Sequence, residues 1–169
     1  MVSLALIAAL AAVFVAACTL TGLADEDAVF LSAASRDLNL QGLLLGGIVI
    51  GSLGVLDDMT VTQTAAVWEL RRANPRFDLR ALYRAAERVG RDHIGSTINT
   101  LVLAYAGAAL PLLIFFTQSN LELRTILTSE VIAVEVVRTL VGSIGLIASV
   151  PITTALAALV VTQAPTDEA

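Results

Sequence analysis

Four long apolar runs are the feature that most constrains what this chain can fold into. They cover residues 2–23, 46–68, 94–116 and 140–161, and each has about the 20 residues that an α-helix needs to cross a bilayer. Only 15% of the residues are charged, with a mean hydropathy of +0.84, whereas soluble domains carry about 25% charged residues. The sequence predicts an all-α integral membrane protein: a four-helix transmembrane bundle in one membrane domain, 1–169.

The residue patterns of familiar catalytic and cofactor sites are missing from the sequence. Cys18 is the single cysteine, which excludes an internal disulfide and a cysteine-rich metal site. There is no phosphate-binding glycine loop, no HExxH metal motif and no nucleophile elbow. We therefore expect no enzymatic activity, no catalytic residue, no cofactor and no metal.

The basic residues predict an orientation in the membrane. All ten are arginines, and seven of them lie in the loop 69–92, which also holds four acids and has a net charge of +3. The connections 24–39 and 118–139 have net charges of −3 and −1. Because positive loops stay in the cytoplasm, we expect loop 69–92 and both termini there, in a bacterial inner membrane. An arginine cluster can also bind nucleic acid, but the flanking apolar runs favour topology, and no nucleic acid is expected.

The first apolar run has a second interpretation as a signal peptide. Val15-Ala16-Ala17-Cys18 resembles a lipoprotein processing box, but the first four residues lack the basic side chains of a signal peptide. We favour a membrane span. Because this basic flank is missing, we also expect that the natural protein is longer and that Met1 is not its start.

Two amphipathic segments are predicted beside the spans. After Asn74-Pro75, Asp78 is a candidate N-cap, and apolar residues recur at helical spacing from Leu79 to Val89. The opposite face is basic, which is typical of a cytoplasmic amphipathic helix lying on anionic lipid. A second amphipathic helix is expected over 130–138, before the last span. The arginines expected to contact lipid or a partner protein are Arg80, Arg84, Arg88 and Arg91.

Asp57 and Asp58 lie within the second run. Trp68 is typical of the membrane interface, and counting back about 20 residues from it puts the two aspartates near mid-depth. A charge there costs at least about 2.5–3.5 kcal/mol on insertion scales, and two adjacent carboxylates in a low dielectric do not both ionise easily. One hypothesis is therefore a proton carrier. The alternative is that the helix breaks at the preceding glycines and the pair occupies an exposed turn.

Further polar groups could complete a proton or cation relay. Arg138 could be the counter-charge of the aspartates, although an ion pair with Glu135 is the simpler interpretation. His93 is better explained as a helix-start residue than as a relay. Pro151 should kink the last helix, with the next two threonines satisfying the freed carbonyl. The candidate relay residues are Asp57, Asp58, Thr62, Asn99, Thr100 and Arg138.

Several blocks of sequence resemble the YibE/F-like family of bacterial multi-pass membrane proteins. They are GSLGVLDDMTVTQ at 51–63, Trp68-Glu-Leu70, GRDHIGSTINTLVLAYAG at 90–107, and EVVRTLVGSIG at 135–145. The resemblance covers about residues 40–160 and implies a multi-pass membrane protein whose biochemical role is unassigned. Because members of that family are usually longer, it also implies that this chain is the C-terminal part of one.

A more distant similarity concerns the proton-driven permeases of the resistance–nodulation–division class and SecD/SecF. In those proteins a Gly-Leu-x-Val-Asp-Asp helix is followed by a cytoplasmic amphipathic segment and a Thr/Ser-rich helix, an order similar to that found here. The chain departs from them in having one four-helix bundle, no partner half and no large periplasmic domain. Coupling would therefore need a second copy or a partner membrane subunit.

Two functions follow as hypotheses. The first is a component of a transport or export system with a relay at Asp57 and Asp58. The second is a non-catalytic scaffold or accessory subunit that binds lipid or a partner protein. An intramembrane protease is a more remote alternative, because its paired aspartates normally come from two helices.

Overall fold

The regular structure of this chain is helical throughout the part that can be described. A computed structural model describes residues 2–24, 26–35, 38–119 and 122–163, without the side chain of Glu26. The helices in these residues are α1 (Val2–Ala17), α2 (Glu26–Ala34), α3 (Leu40–Ala73), α4 (Leu79–Ala108), α5 (Leu110–Gln118), α6 (Leu123–Leu127) and α7 (Glu130–Gln163). The predicted all-α class is confirmed.

Two helices are clearly long and apolar enough to cross a membrane. These are α3 and α7, of 34 residues each. The helices α4 and α5 meet at a bend of 52° and add a third crossing if they form one span. The helix α1 has 16 residues, or about 24 Å of length, which is short of the roughly 30 Å of a hydrocarbon core. By length and composition, the described helices thus include two clear spans, or up to three, and the four-span bundle is not confirmed.

Local capping explains where α3 and α4 begin. The side chain of Asn39 accepts a hydrogen bond from the Gly42 N–H at 2.9 Å, and that of Asp78 accepts one from the Ala81 N–H at 2.7 Å. Each satisfies a backbone donor that has no partner within its helix. Asp78 is therefore the N-cap that the sequence predicts.

The predicted surface helix and the third predicted span belong to one continuous helix, α4. No proline interrupts the chain between Leu79 and Ala108, so the charged half simply continues into the apolar half. His93 consequently lies in the middle of α4, which corrects its assignment to a helix start. The break comes instead near Ala109, because Pro111 at the beginning of α5 has no N–H and clashes with a helical carbonyl one turn earlier.

The last predicted span also merges with the amphipathic segment before it. Residues 130–138 form the first turns of α7, which continues through Pro151 as a single helix. The Thr154 hydroxyl accepts a hydrogen bond from the side chain of Gln63 at 2.7 Å.

The helices α3 and α7 form the central pair and run in the same direction. Ser52 lies opposite Gly142, Gln63 contacts Thr154, and Val67 packs with Ala158, so the contacts advance together along both helices. The helices α1 and α4 run antiparallel to this pair. We call the two ends of the bundle the Glu130 end and the Trp68 end.

The core consists of three buried clusters along the central pair. The helix α1 packs at the Glu130 end, α4 packs at the Trp68 end, and a smaller cluster of α3, α4 and α7 lies between them. The buried residues of the cluster at the Glu130 end are Ile7, Ala11, Val15, Leu20, Ile48, Leu56, Val134, Val137 and Val141. Those of the cluster at the Trp68 end are Val67, Leu82, Ala86, Ala157, Ala158 and Val161. Those of the middle cluster are Met59, Leu146 and Val150.

The helix α1 is an integral part of this core. Ile7 is fully buried and lies so close to Gly145 of α7 that a Cβ at position 145 would overlap its side chain. Small residues allow this close approach of helices.

A carboxylate ties the segment after α1 to the start of α7. Glu130 accepts hydrogen bonds from the Thr21 N–H at 2.6 Å, the Gly22 N–H at 2.9 Å and the Thr21 hydroxyl at 2.8 Å. Gly22 has φ +83° and lies against the Leu40 carbonyl, so a side chain there would be both strained and overlapping.

Candidate functional site

A cleft of about 630 Å³ opens between α3 and α7 below the first residues of α1, and Asp57 lies on its wall. The hydroxyl-bearing residues that line this cleft with Asp57 are Ser3 of α1, Thr60 and Thr64 of α3, and Thr153 of α7. The remaining wall is mainly apolar and includes Leu53, Trp68, Leu156 and Val160.

The spacing of residues on α3 explains why these groups share the cleft. Asp57, Thr60 and Thr64 are at i, i+3 and i+7, which places them on one side of a helix. The buried side of α3 carries Met59 and Gln63, which face the other helices. Because α3 runs unbroken through the glycines before Asp57, the alternative of an exposed turn at the aspartates is not found.

The two threonines beside Asp57 keep their oxygen atoms available as acceptors. The Thr60 hydroxyl donates to the Asp57 carbonyl at 3.1 Å, and the Thr64 hydroxyl donates to the Thr60 carbonyl at 2.7 Å. The Asp57 carboxylate itself has no hydrogen bond or ion pair with any residue that the structure describes. A carboxylate and two hydroxyl oxygens without competing donors suit a proton or a small cation.

Asp58 lies on a different side of α3. Val55 lies one helical turn before Asp58 and packs against the middle cluster, as Ile94 and Ile98 of α4 do. Helical geometry therefore puts Asp58 on the side of α3 that faces α4. Asp57, Asp58 and Thr62 are all exposed, but Asp58 and Thr62 do not line the cleft. The adjacent aspartates therefore face different surroundings, and only Asp57 lies in the cleft.

The remaining predicted relay residues do not converge on Asp57. Asn99 and Thr100 are exposed, on the side of α4 away from its neighbours, and the Thr100 hydroxyl bonds to the Ser96 carbonyl. Arg138 forms an ion pair with Glu135 at 2.7 Å, as the simpler interpretation holds. It lies one turn before Gly142, which is opposite Ser52, so it is about 13 Å from Asp57 along the helix axes.

A buried polar junction joins α3, α4 and α7. Gln63 is 2% exposed, and its amide donates to the Ala86 carbonyl at 2.9 Å and to the Thr154 hydroxyl at 2.7 Å. A Cβ added to Gly90 would lie 2.7 Å from the Gln63 amide oxygen. One turn further along α4, the Nε2 atom of His93 is buried and has no partner among the described residues. Gln63 is not among the predicted relay residues, although it is a polar residue in the buried stripe of α3 between Met59 and Val67.

The layer of the bundle between the levels of Asp57 and Trp68 has different residues on the two sides of α3. Asp57 precedes Trp68 by 11 residues, or about 16 Å along α3. On the side of the cleft, Thr60 and Thr64 of this layer lie beside exposed apolar residues such as Val160, which is 60% exposed. On the other side runs the charged half of α4, since Gln63 contacts Ala86 within the same layer.

The charged half of α4 is attached to the bundle rather than separate from it. Leu82 and Ala86 are completely buried against α3 and α7. Arg80, Arg84 and Arg88 are exposed and have no ion pair within the described residues, while Arg91 pairs with Glu87 at 2.8 Å. The four predicted contact arginines are therefore accessible, and three of them are free to bind an anion.

Comparison with known proteins identifies the family. A family model described as YibE/F-like protein matches residues 1–163. The chain belongs to the YibE/F-like family. This YibE/F-like match confirms the resemblance carried by the sequence blocks, and it extends beyond the expected residues 40–160 to include α1.

No curated protein and no solved structure matches this YibE/F-like chain. The similarity to resistance–nodulation–division permeases and SecD/SecF thus stays a prediction from one helix and the order of its neighbours. Membership in the family and the apolar helices support an association with the membrane.

Proposed function

We propose that this YibE/F-like chain is the membrane component of a transport or export system, in which Asp57 accepts and releases a proton or a small cation. The supporting observation is the position of Asp57 in an apolar-walled cleft beside two threonine oxygens. A carboxylate in such surroundings is costly unless it binds a cation or a proton. The other predicted relay residues are Asp58, Thr62, Asn99, Thr100 and Arg138; they lie outside this cleft and have no role in the relay proposed for Asp57.

The chain acts in a bacterial inner membrane with both termini in the cytoplasm, as the arginine distribution indicates. It works as a homo-oligomer or with a partner membrane subunit. It has no enzymatic activity under this proposal, since the relay moves a cation without chemical conversion.

Ion movement in reconstituted vesicles tests the proposal. The full chain is placed in liposomes with an internal pH dye, or with an internal sodium dye in a parallel series that supplies sodium, and a potassium diffusion potential drives cation entry. We expect the wild-type protein to raise proton or sodium entry above that of protein-free vesicles. Asp57→Asn should abolish this increase, because an amide cannot take up a proton at neutral pH.

Asp58→Asn is the matched control. It removes the same charge from the neighbouring position but leaves the cleft unchanged, so entry should stay within about twofold of wild type. Equal loss in both variants would contradict the assignment to Asp57. Wild-type vesicles that are no more permeable than empty ones would contradict the relay.

The second candidate is a scaffold or accessory subunit, and the exposed arginines of α4 favour it specifically. Three of them have no acidic partner in the described residues. A scaffold would keep its assembly and its activity in Asp57→Asn, whereas a relay would keep assembly alone. Co-purification of Asp57→Asn with its membrane partner checks assembly, and an activity measurement on the same preparation distinguishes the two functions.

A further inference from the structure

A groove of about 450 Å³ lies between α4 and α7, on a different side of the bundle from the cleft. Arg80, Tyr83 and Arg84 line it from α4, and Ala155 and Leu159 line it from α7. One wall is therefore cationic with an aromatic hydroxyl, and the other wall is apolar.

The charges of this groove favour an anion. Arg80 and Arg84 are exposed and have no ion pair within the residues that the structure describes. Glu87 also lines the groove, but its carboxylate is paired with Arg91 at 2.8 Å. Two guanidinium groups one helical turn apart thus remain to bind a phosphate, a ligand that arginine recognises well.

The apolar wall continues along α7 away from the arginines. Leu159 is 41% exposed, and Ile144, which is 39% exposed, lies on the same side of the helix through Ala155 and Ala148. From Leu159 to Ile144 is about 22 Å along the helix. This exposed strip is long enough to accommodate most of an acyl chain.

The groove lies at the level where a headgroup is expected. Val67, Leu82 and Ala158 pack together, so Arg80 and Arg84 flank the level of Trp68. Tryptophan is enriched at the membrane interface, and arginines at this depth bind anionic headgroups.

We propose that this groove binds one anionic phospholipid, with its phosphate on Arg80 and Arg84 and an acyl chain along α7. Charge complementarity together with the continuous apolar strip carries the inference. It does not depend on the proposed role of Asp57, which lies in a separate cleft. Arg88 lies outside the groove, so the site uses part of the basic face rather than all of it.

Lipid retention in detergent tests the proposal. The purified full chain is titrated in neutral micelles with phosphatidylglycerol or phosphatidylcholine, and bound lipid is counted by native mass spectrometry. We expect one tightly held phosphatidylglycerol and no comparable phosphatidylcholine. From the usual contribution of a basic side chain at an anionic surface, each Arg→Gln change should weaken binding about fivefold, and R80Q/R84Q together about 25-fold.

R88Q is the matched control, because it removes one exposed arginine from α4 without touching the groove. It should change phosphatidylglycerol binding by less than about twofold. A loss as large as that of R84Q would show only general attraction to the basic face and overturn the site.

Two more measurements separate the remaining outcomes. Leu159→Trp keeps both arginines but fills the apolar wall, so it should displace the lipid even if R80Q/R84Q fails to fold. Glycerol 1-phosphate has the headgroup chemistry without acyl chains. If it binds as tightly as phosphatidylglycerol, the groove is a site for a soluble phosphate, and the lipid proposal is wrong.

Discussion

Gly90 lies where α4 packs tightly against α3 and α7. A Cβ at this position would meet Val150 at 2.5 Å and the Gln63 amide oxygen at 2.7 Å. Gly90→Ala must therefore move the Gln63 amide, which donates to Ala86 and Thr154. We expect a loss of about 1–3 kcal/mol in the free energy of unfolding, as for other overpacked positions, measured by denaturant titration in mixed micelles.

Gly95 on the same helix is the control for this substitution. A Cβ there would meet nothing within 4 Å, so Gly95→Ala should be neutral or stabilise the protein by up to about 1 kcal/mol through the unfolded chain. If both variants behave alike, the close packing at Gly90 is wrong.

The sequence permits part of the candidate site to be predicted at this scale. The spacing of Asp57, Thr60 and Thr64 is visible in the sequence and already implies a shared helix face. The contribution of Thr153 could not be predicted from the sequence, because it depends on how α7 is rotated about its axis. The packing of the whole bundle determines that rotation. Polarity alone selected Asn99 and Thr100, which the structure leaves exposed on the other side of α4.

At the scale of the helices, Glu130 joins the start of α7 to the segment after α1. Partial burial raises the pKa of its carboxyl, but the hydrogen bonds from Thr21 and from the backbone of residues 21–23 outweigh burial, so the pKa is lowered from 4.5. Glu130 precedes the apolar part of α7 and lies outside the predicted span 140–161.

The lowered pKa predicts how stability depends on pH. The bonds of ionised Glu130 stabilise the fold fully above 4.5, and this contribution is lost as the pH falls below that value and through the lowered pKa. Wild type should therefore lose more stability on acidification than Glu130→Gln, which has no carboxylate to protonate. Thermal unfolding in micelles at neutral and acidic pH measures the difference, and parallel pH curves would contradict it.

Helix boundaries were harder to predict than helix existence. The N-cap at Asp78 was predicted, because capping depends on one side chain and its next turn. The separation of a surface helix from a span at about position 93 was not found, because a change from charged to apolar residues marks a change of environment and does not stop hydrogen bonding along the backbone. Pro111 does stop it, and the break lies there.

At the scale of the whole molecule, the antiparallel arrangement predicts which connections share a side of the membrane. The segment after α1 should be outside, and the turn between α3 and α4 should be cytoplasmic. Exposed Cys18 should react with a membrane-impermeant thiol reagent in intact spheroplasts. In a Cys18→Ser background, Ala73→Cys should react only in inverted vesicles.

Either of two results contradicts this topology. The reverse labelling pattern would invert the orientation, and labelling of both positions from the same side would change the number of crossings between them. The number of spans could not be read securely from composition, because α1 is apolar throughout yet has only 16 residues.

The bond from the Gln63 amide to the main-chain carbonyl of Ala86 has a consequence for the whole charge distribution. A main-chain acceptor does not depend on which side chain occupies position 86, but it does depend on the longitudinal register of α4. Sliding α4 by one residue would shift it by about 1.5 Å and turn it by about 100°, which would carry that carbonyl away from the amide. Together with the packing of Leu82, Ala86 and Gly90, this buried amide fixes the height of the arginines of α4 along the bundle.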